Sequence, residues 1–569
     1  MRKLLIIINL SIVLCYAQNP VNTSYGSIIG KKHKLFPDVT EYLGIPFAKP
    51  PVGKLRFKVP MELDKPAWNG TFNASTVANT CYYVNNNQFL VGYPGYDFWH
   101  PNYLNYSEDC LQLNMWVPKN STGSALVFLF GRGYHTGSPS LNVYDGSFLA
   151  LKTGAIIINL NYRLGVLGFA YMVNSSNLPG NVGLLDQQMG LKWIHENIVN
   201  FGGNPKNVTL FGEDVGAFSG TAHLFSSGSH NYFNKLIINS GSVQNSWFRE
   251  SNKIANDNLL ALAKSFNCSG NDNETFICLQ SQDVVKLITE ANKIKNNDQS
   301  PLISPFIFVE EDDNFFKGNL SMKMLKNDMM KDIDIMIGIT SDEGSYLMVQ
   351  YLNDETFGCN FNKNMSYDSE DNICPMTEEQ FENVLKLTSV YDKYSVEDFL
   401  DLNETYDKID LKVPRYKTLK FLSDYMFNCD ISLFAYMFGL QVKGKKYFYE
   451  FQKKSKINHW PEWMGSMHTY ELLYQFGYPF THPESYSKDV LKEEQDFSMK
   501  MINIVSNFIH TGVPSLKWQE FNETTIKAVV LDGFYNDNGQ IKYSNPYSQG
   551  CYTIHSIKSR CQELNDWKI

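Results

Sequence analysis

Asn207-Val208-Thr209-Leu210-Phe211-Gly212-Glu213-Asp214-Val215-Gly216 runs from a strand pattern into a turn that few backbones can make. Residues 207 to 211 form the apolar strand signal. Gly212 and Gly216 then bracket Asp214, and the small-residue run Ala217-Phe218-Ser219-Gly220-Thr221-Ala222 is able to open a helix. Glycines let a chain bend this sharply and lift one side chain clear of a sheet. The lifted group is the carboxylate of Asp214, so the stretch has the shape of a nucleophile elbow with an acid at its tip.

Working outward, the flanking sequence alternates strand and helix signals. Ala125 to Phe130 and Ala155 to Leu160 are continuous apolar runs of strand length, the pattern of strands buried on both faces. Leu184 to Asn200 has helical spacing in Leu185, Met189, Leu191, Trp193, Ile194 and Ile198, and Gly202-Gly203 ends it. Further strand signals recur at Lys235 to Asn239, Asp332 to Ile339 and Tyr447 to Phe451. Such alternation predicts an α/β fold with a large, mostly parallel central sheet flanked by helices.

The chain has 569 residues, 43% hydrophobic and 14% aromatic, with a net charge of -9. That balance supports a large core and argues against a disordered or nucleic-acid-binding protein. Residues 1–17 read as a secretory signal: Arg2 and Lys3, an apolar run from Leu4 to Leu14, then a small residue at Ala17. With no linker, low-complexity tract or fixed-period repeat, residues 18–569 read as one domain. No later stretch is apolar enough for a membrane span, and the C-terminus carries no lipid-anchor tail, so the expected product is secreted and extracellular. Asn-x-Ser/Thr acceptors from Asn22 to Asn522 predict a glycoprotein, although Asn207, at the start of the elbow strand, is a poor acceptor.

The cysteines fit an oxidising compartment. None has metal-finger spacing, and no metal or cofactor is expected. Local bridges Cys81–Cys110, Cys268–Cys278 and Cys359–Cys374 are expected, with Cys429 joined to a distant partner in the C-terminal segment and one thiol left over. Glu310-Glu311-Asp312-Asp313 reads as a solvated loop, and Asn536-Asp537-Asn538-Gly539 as a turn.

Four further blocks carry a resemblance. Tyr42 to Ala48 reads YLGIPFA, Ser107 to Asn114 SEDCLQLN, Asn161 to Gly165 NYRLG, and Gly180 to Gln188 GNVGLLDQQ. Their order and spread over nearly the whole mature chain resemble the cholinesterase and type-B carboxylesterase family of α/β-hydrolases. The resemblance implies ion pairs Arg56–Glu108 and Arg163–Asp186, and a Cys429–Cys561 bridge that leaves Cys551 free. It places the acid of a catalytic triad at Glu343, in Ser341-Asp342-Glu343-Gly344, and the histidine at His468, after Trp460-Pro461-Glu462-Trp463. In such a triad the carboxylate holds the imidazole tautomer while the other ring nitrogen takes the nucleophile's proton.

The third member departs from the family, whose elbow holds serine where this chain has Asp214. The oxyanion loop departs as well: Phe130-Gly131-Arg132-Gly133-Tyr134 has arginine amid the glycines, and Val215 replaces a smaller residue beside the same pocket. Read together, these changes predict a bidentate ion pair between Arg132 and Asp214. Breaking it by removing Arg132 would cost about 3 to 5 kcal/mol. Losing a serine nucleophile costs roughly a millionfold in turnover, so the expectation is a protein inactive as a serine esterase. Its alternatives are an aspartate-nucleophile hydrolase of epoxides or alkyl halides, or a residual carboxylic ester hydrolase.

The resemblance also implies a ligand gorge. Trp99 matches a tryptophan that stacks on quaternary ammonium groups, while Glu213, Tyr144, Trp247 and Tyr346 match positions lining the same site. A cationic or apolar small molecule is the expected ligand, held by aromatic faces at about 0.5 to 2 kcal/mol each, with a protein partner as the alternative. At the rim, the family's aspartate falls in Asn85-Asn86-Asn87.

Overall fold

A sheet of 11 strands organises the chain. The computed structural model describes residues 19–566, apart from 86–88, 296–303, 393, 410 and 523. The candidate signal segment, and Asn86 and Asn87 of the rim, lie outside the described residues.

In chain order the strands are β1 (Lys31–Lys32), β2 (Val39–Pro46), β3 (Gln112–Pro118), β4 (Ala125–Leu129), β5 (Ile156–Leu160), β6 (Val208–Glu213), β7 (Lys235–Asn239), β8 (Asp334–Thr340), β9 (Lys446–Phe451), β10 (Ala528–Leu531) and β11 (Tyr543–Ser544). Across the sheet they run β11-β10-β9-β8-β7-β6-β4-β5-β3-β2-β1. From β10 to β5 every pairing is parallel, and antiparallel strands close both edges. Strands β4 to β7 are buried along their whole length, which is why they read as unbroken apolar runs rather than alternating ones.

Helix α1 (Val182–Asn197) continues as a tight turn through Phe201 and stops at Gly202, whose φ of 83° only glycine adopts freely. Helix α2 (Val215–Leu224) follows the elbow and is buried on every side, as its small and apolar composition requires. Arg163, just past β5, holds Asp186 on α1 through two 2.7 Å contacts, and Arg56 grips Glu108 through two at 2.6 Å. Both expected pairs therefore form as bidentate clamps, Arg163–Asp186 between a loop and a helix and Arg56–Glu108 between two loops. Among the described residues no helix is long and apolar enough to cross a membrane.

Two expectations are corrected here. Cys429 is bonded to Cys551, not to Cys561, alongside the three local bridges. Cys551 sits in the first turn of the C-terminal helix α3 (Gln549–Asp566), its Cα 5.0 Å from that of Cys429. Ten residues of helix carry Cys561 about 15 Å further along the axis. The acidic run, moreover, is not solvated throughout. Asp312 is buried and accepts the amides of Asn314, Phe315 and Phe316 and the side-chain amide of Asn181, so the fold itself solvates its charge. The expected turn at Asn536 does form, closed by the Gly539 amide on the Asn536 carbonyl.

Candidate active site and gorge

The site lies over the carboxyl ends of β4, β6, β8 and β9, where the strand order reverses between β6 and β4. Side chains from loops after several strands converge at such a switch point. Asp214 follows β6 with φ 53° and ψ -122°, a strained turn that aims its carboxylate out of the sheet. The turn requires Gly216, because a Cβ there would lie 2.0 Å from the Leu129 carbonyl oxygen. Gly131 is equally constrained, since its Cβ would fall 2.5 Å from that of Asp214.

The acid–base pair is assembled. His468 Nδ1 lies 2.6 Å from Glu343 Oε2. The other Glu343 oxygen accepts the Ser240 hydroxyl at 2.6 Å and the Thr340 amide at 2.7 Å. Asp342, one residue earlier, accepts the Ser466 amide and so ties the acid's turn to the loop carrying His468. The Phe427 ring packs against the imidazole, 4.7 Å between centroids.

Opposite this pair the geometry differs from expectation. Asp214 Oδ2 accepts the backbone amides of Arg132 at 2.5 Å and Gly133 at 2.8 Å, the two donors an oxyanion hole would offer an ester carbonyl. The predicted side-chain pair between Arg132 and Asp214 does not form. At φ 82°, the backbone of Arg132 turns its N–H toward the carboxylate while the side chain leaves in another direction. The guanidinium lies instead over Trp99, 5.1 Å from the ring centroid. The face expected to hold a ligand's cation is covered by the chain's own cation.

Electrostatics follow from this packing. Burial alone would depress the pKa of His468. Glu343, together with Asp214 at 3.7 Å and Glu213 at 3.3 Å from Nε2, outweighs burial and raises it well above the ordinary value. Burial pushes Asp214 upward, but His468 and the Gly133 and Val215 amides prevail and hold it below the usual carboxylate range. Glu213 is fully buried with no hydrogen-bond partner among the described residues. Burial, reinforced by the neighbouring acids, raises its pKa far above normal. The site thus gathers the His468 imidazole and the carboxyl groups of Glu343, Asp214 and Glu213 into one buried cluster, in which the proton on His468 is favoured.

A cavity of about 250 Å³ opens onto Asp214 and His468. Trp99, Trp247 and Tyr346 line it as expected. Tyr144 and Glu213 do not reach its wall. Both are fully buried behind it, Tyr144 with its ring 6.4 Å from that of Trp99. Val215, too, is buried, so only its amide bears on the site.

A carboxylesterase family model matches residues 17–539. This chain belongs to the carboxylesterase family. It is 34% identical over 549 residues to acetylcholinesterase 4 of Caenorhabditis briggsae, a match covering 91% of this chain and 87% of the relative. Cholinesterase of Mus musculus is 34% identical over 508 residues, with coverages of 87% and 80%. Acetylcholinesterase of Electrophorus electricus is 32% identical over 580 residues, with coverages of 92% and 86%. The mostly parallel sheet and its helices are those of the α/β-hydrolase fold.

Within this carboxylesterase-family site, sequence reasoning missed Ser240, Glu471 and three cavity walls, Trp460, Tyr470 and Tyr351. Trp460 stood in the quoted block ahead of His468. Ser240 carries no local signal beyond its place at the end of a strand.

Proposed function

We propose that this chain is a secreted, glycosylated member of its family that does not hydrolyse esters through an acyl-enzyme and acts by holding a small molecule in its gorge. One observation carries the reading: the carboxylate of Asp214 occupies the amides that an ester's carbonyl oxygen would need. An ester therefore meets neither a hydroxyl nucleophile nor an open oxyanion hole, and the surrounding carboxylates favour the protonated form of His468, which makes it a poorer base. The names of the relatives speak of choline esters, yet the feature that would bind choline's ammonium is engaged by Arg132. Glycosylation is supported by exposed acceptors such as Asn22, Asn69, Asn120 and Asn364. Asn207 is half-buried, its amide bonded to Ser124 and Lys235.

A second reading has its own support. Asp214 Oδ2 accepts the Arg132 and Gly133 amides while Oδ1 faces His468, and an aspartate held by backbone donors beside a histidine could attack an alkyl carbon. Purified protein, assayed beside Asp214→Asn on choline esters, aryl esters, epoxides and alkyl halides, decides between the two. No turnover above the variant is expected. An epoxide or halide consumed only by the parent would establish the aspartate nucleophile and end the binding-only reading.

A further inference from the structure

The gorge offers one charged group that its own residues leave unanswered. Arg132 projects its guanidinium from the oxyanion loop into the cavity, and among the described residues it has no carboxylate or hydrogen-bond partner there. Asp214 does not serve: one of its oxygens is held by two amides, and the other faces His468. The charge of His468 is matched by Glu343 at 2.6 Å, and the Asp214 carboxylate is answered by the Arg132 and Gly133 amides. Among the described residues no lysine and no second arginine lines the cavity. The same cavity is lined by Trp99, Tyr96, Tyr346, Tyr470, Trp247 and Trp460.

From this juxtaposition, and resting on the reading of the gorge as a binding site, we infer that the ligand is an aromatic carboxylate monoanion. Its carboxylate is received by Arg132 and its ring by the surrounding aromatic walls. A guanidinium lying over an indole keeps its N–H edges available, and their fork matches a carboxylate bidentately. One unpaired cation accommodates one negative charge. A dianion such as a phosphate monoester would face the Asp214 carboxylate with no second donor group. A quaternary ammonium is excluded by the same arithmetic, because it would have to displace a tethered cation from Trp99 and sit beside it. The field of Arg132 reaches across the cavity: it opposes the burial-driven rise of the Tyr346 and Tyr470 phenols and adds to the burial that pushes His100 down to about 3. The walls are thus neutral, and the cavity is positive at the arginine.

The test uses the full mature protein, tryptophan fluorescence and titration calorimetry, with phenylacetate, neutral phenylacetamide and phenyltrimethylammonium as probes. Phenylacetate is expected to bind at least tenfold tighter than phenylacetamide, and phenyltrimethylammonium not at all. Arg132→Gly, which suits a backbone at φ 82° and so should fold, is expected to weaken phenylacetate at least tenfold and admit the ammonium. Arg132→Lys should keep part of the preference for the anion. Equal affinity for phenylacetate and phenylacetamide, or phenylacetate binding unchanged in Arg132→Gly, overturns the anion assignment while leaving a gorge that binds small molecules. Binding of none of the three overturns both. Conversely, turnover of an ester or epoxide that phenylacetate inhibits through Arg132 would defeat the non-hydrolysing reading and leave the anion site intact.

Discussion

The two halves of the site have departed from hydrolase geometry to different degrees. On one side, Glu343 and His468 keep the short contact, the supporting Ser240 and Thr340 bonds and the loop tie through Asp342 that a working acid–base pair needs. On the other, Asp214 and Arg132 have filled the space where substrate would react: a carboxylate on the oxyanion amides, a guanidinium over Trp99. The difference shows which changes a scaffold can absorb. The donors of an oxyanion hole are backbone amides fixed by the fold, so they bind whatever anion is put before them, including one supplied by the elbow itself. The retained half then works as a counter-charge, with His468 facing a carboxylate where the family's histidine faces a serine hydroxyl.

If that comparison holds, the largest effect comes from restoring the elbow. Asp214→Ser frees the Arg132 and Gly133 amides and supplies a hydroxyl beside a histidine already positioned by Glu343. Hydrolysis of 4-nitrophenyl acetate is expected to rise at least about a thousandfold, a part of the roughly millionfold that a triad contributes. Choline esters should remain poor substrates until Arg132→Gly is added. Steady-state kinetics check both statements, and a silent Asp214→Ser would mean that the acid–base half is not preserved after all.

How much of this was legible beforehand depends on what each feature requires. Strands β4 to β7 were readable because burial on both faces forces unbroken apolar runs. Glu343 and His468 were placed through the family resemblance, on the Ser341 to Gly344 turn and the Trp460 to Trp463 stretch, and the fold brings the two side chains together. The direction of the Arg132 side chain was not, since it depends on a positive φ that residue identity does not announce. Chemistry suggested an arginine–aspartate pair, whereas the backbone amide of that same residue made the contact. The partner of Cys429 was hidden similarly, because choosing between Cys551 and Cys561 needs the axial position of α3. Asp312 shows that an acidic run can contain one residue the fold solvates with its own amides.

The next effect lies behind the retained half. Glu471 is fully buried, and burial first, then Glu343, pushes its carboxyl up to about 8. A raised carboxyl keeps a proton in the folded protein that the unfolded chain releases. Its contribution to stability is therefore full below the unfolded value near 4.3 and declines as pH rises toward 8. Glu471→Gln should remove that decline, flattening the dependence of unfolding free energy between about pH 5 and pH 8 by on the order of 3 kcal/mol. The readout is the slope, because a buried glutamine brings a fixed hydrogen-bonding cost at every pH. Denaturant melts across that range would show an unchanged slope if Glu471 were ionised in the fold.

A smaller shift should follow from removing the elbow's charge alone. In Asp214→Asn the side-chain oxygen can still accept the Arg132 and Gly133 amides, but His468 loses one of the carboxylates that hold it protonated. Its pKa should fall toward the ordinary imidazole value, because one of the charges that favour the proton is gone. Imidazole proton resonances followed by NMR from pH 5 to pH 9 measure this directly. No movement would mean that Glu343 and Glu213 alone set the charge of the histidine.

The smallest effect separates the two ways Arg132 serves the site. Were its guanidinium the partner of Asp214, Arg132→Gly would strand a buried carboxylate and cost about 3 to 5 kcal/mol. With the observed geometry, the variant keeps the amide at residue 132 that Asp214 Oδ2 accepts, as well as that of Gly133. What it loses is a partly exposed cation–π contact worth about 0.5 to 1 kcal/mol. It gains relief of a left-handed non-glycine backbone worth about 1 to 2 kcal/mol, offset by the larger entropy of glycine in the unfolded chain. These contributions nearly cancel, so the unfolding free energy of Arg132→Gly should lie within about 1 kcal/mol of the parent. Reversible denaturation resolves that difference, and a loss of several kcal/mol would restore the side-chain pair in solution. Near-neutral stability together with altered ligand preference would assign the amide of Arg132 to the fold and its guanidinium to the gorge.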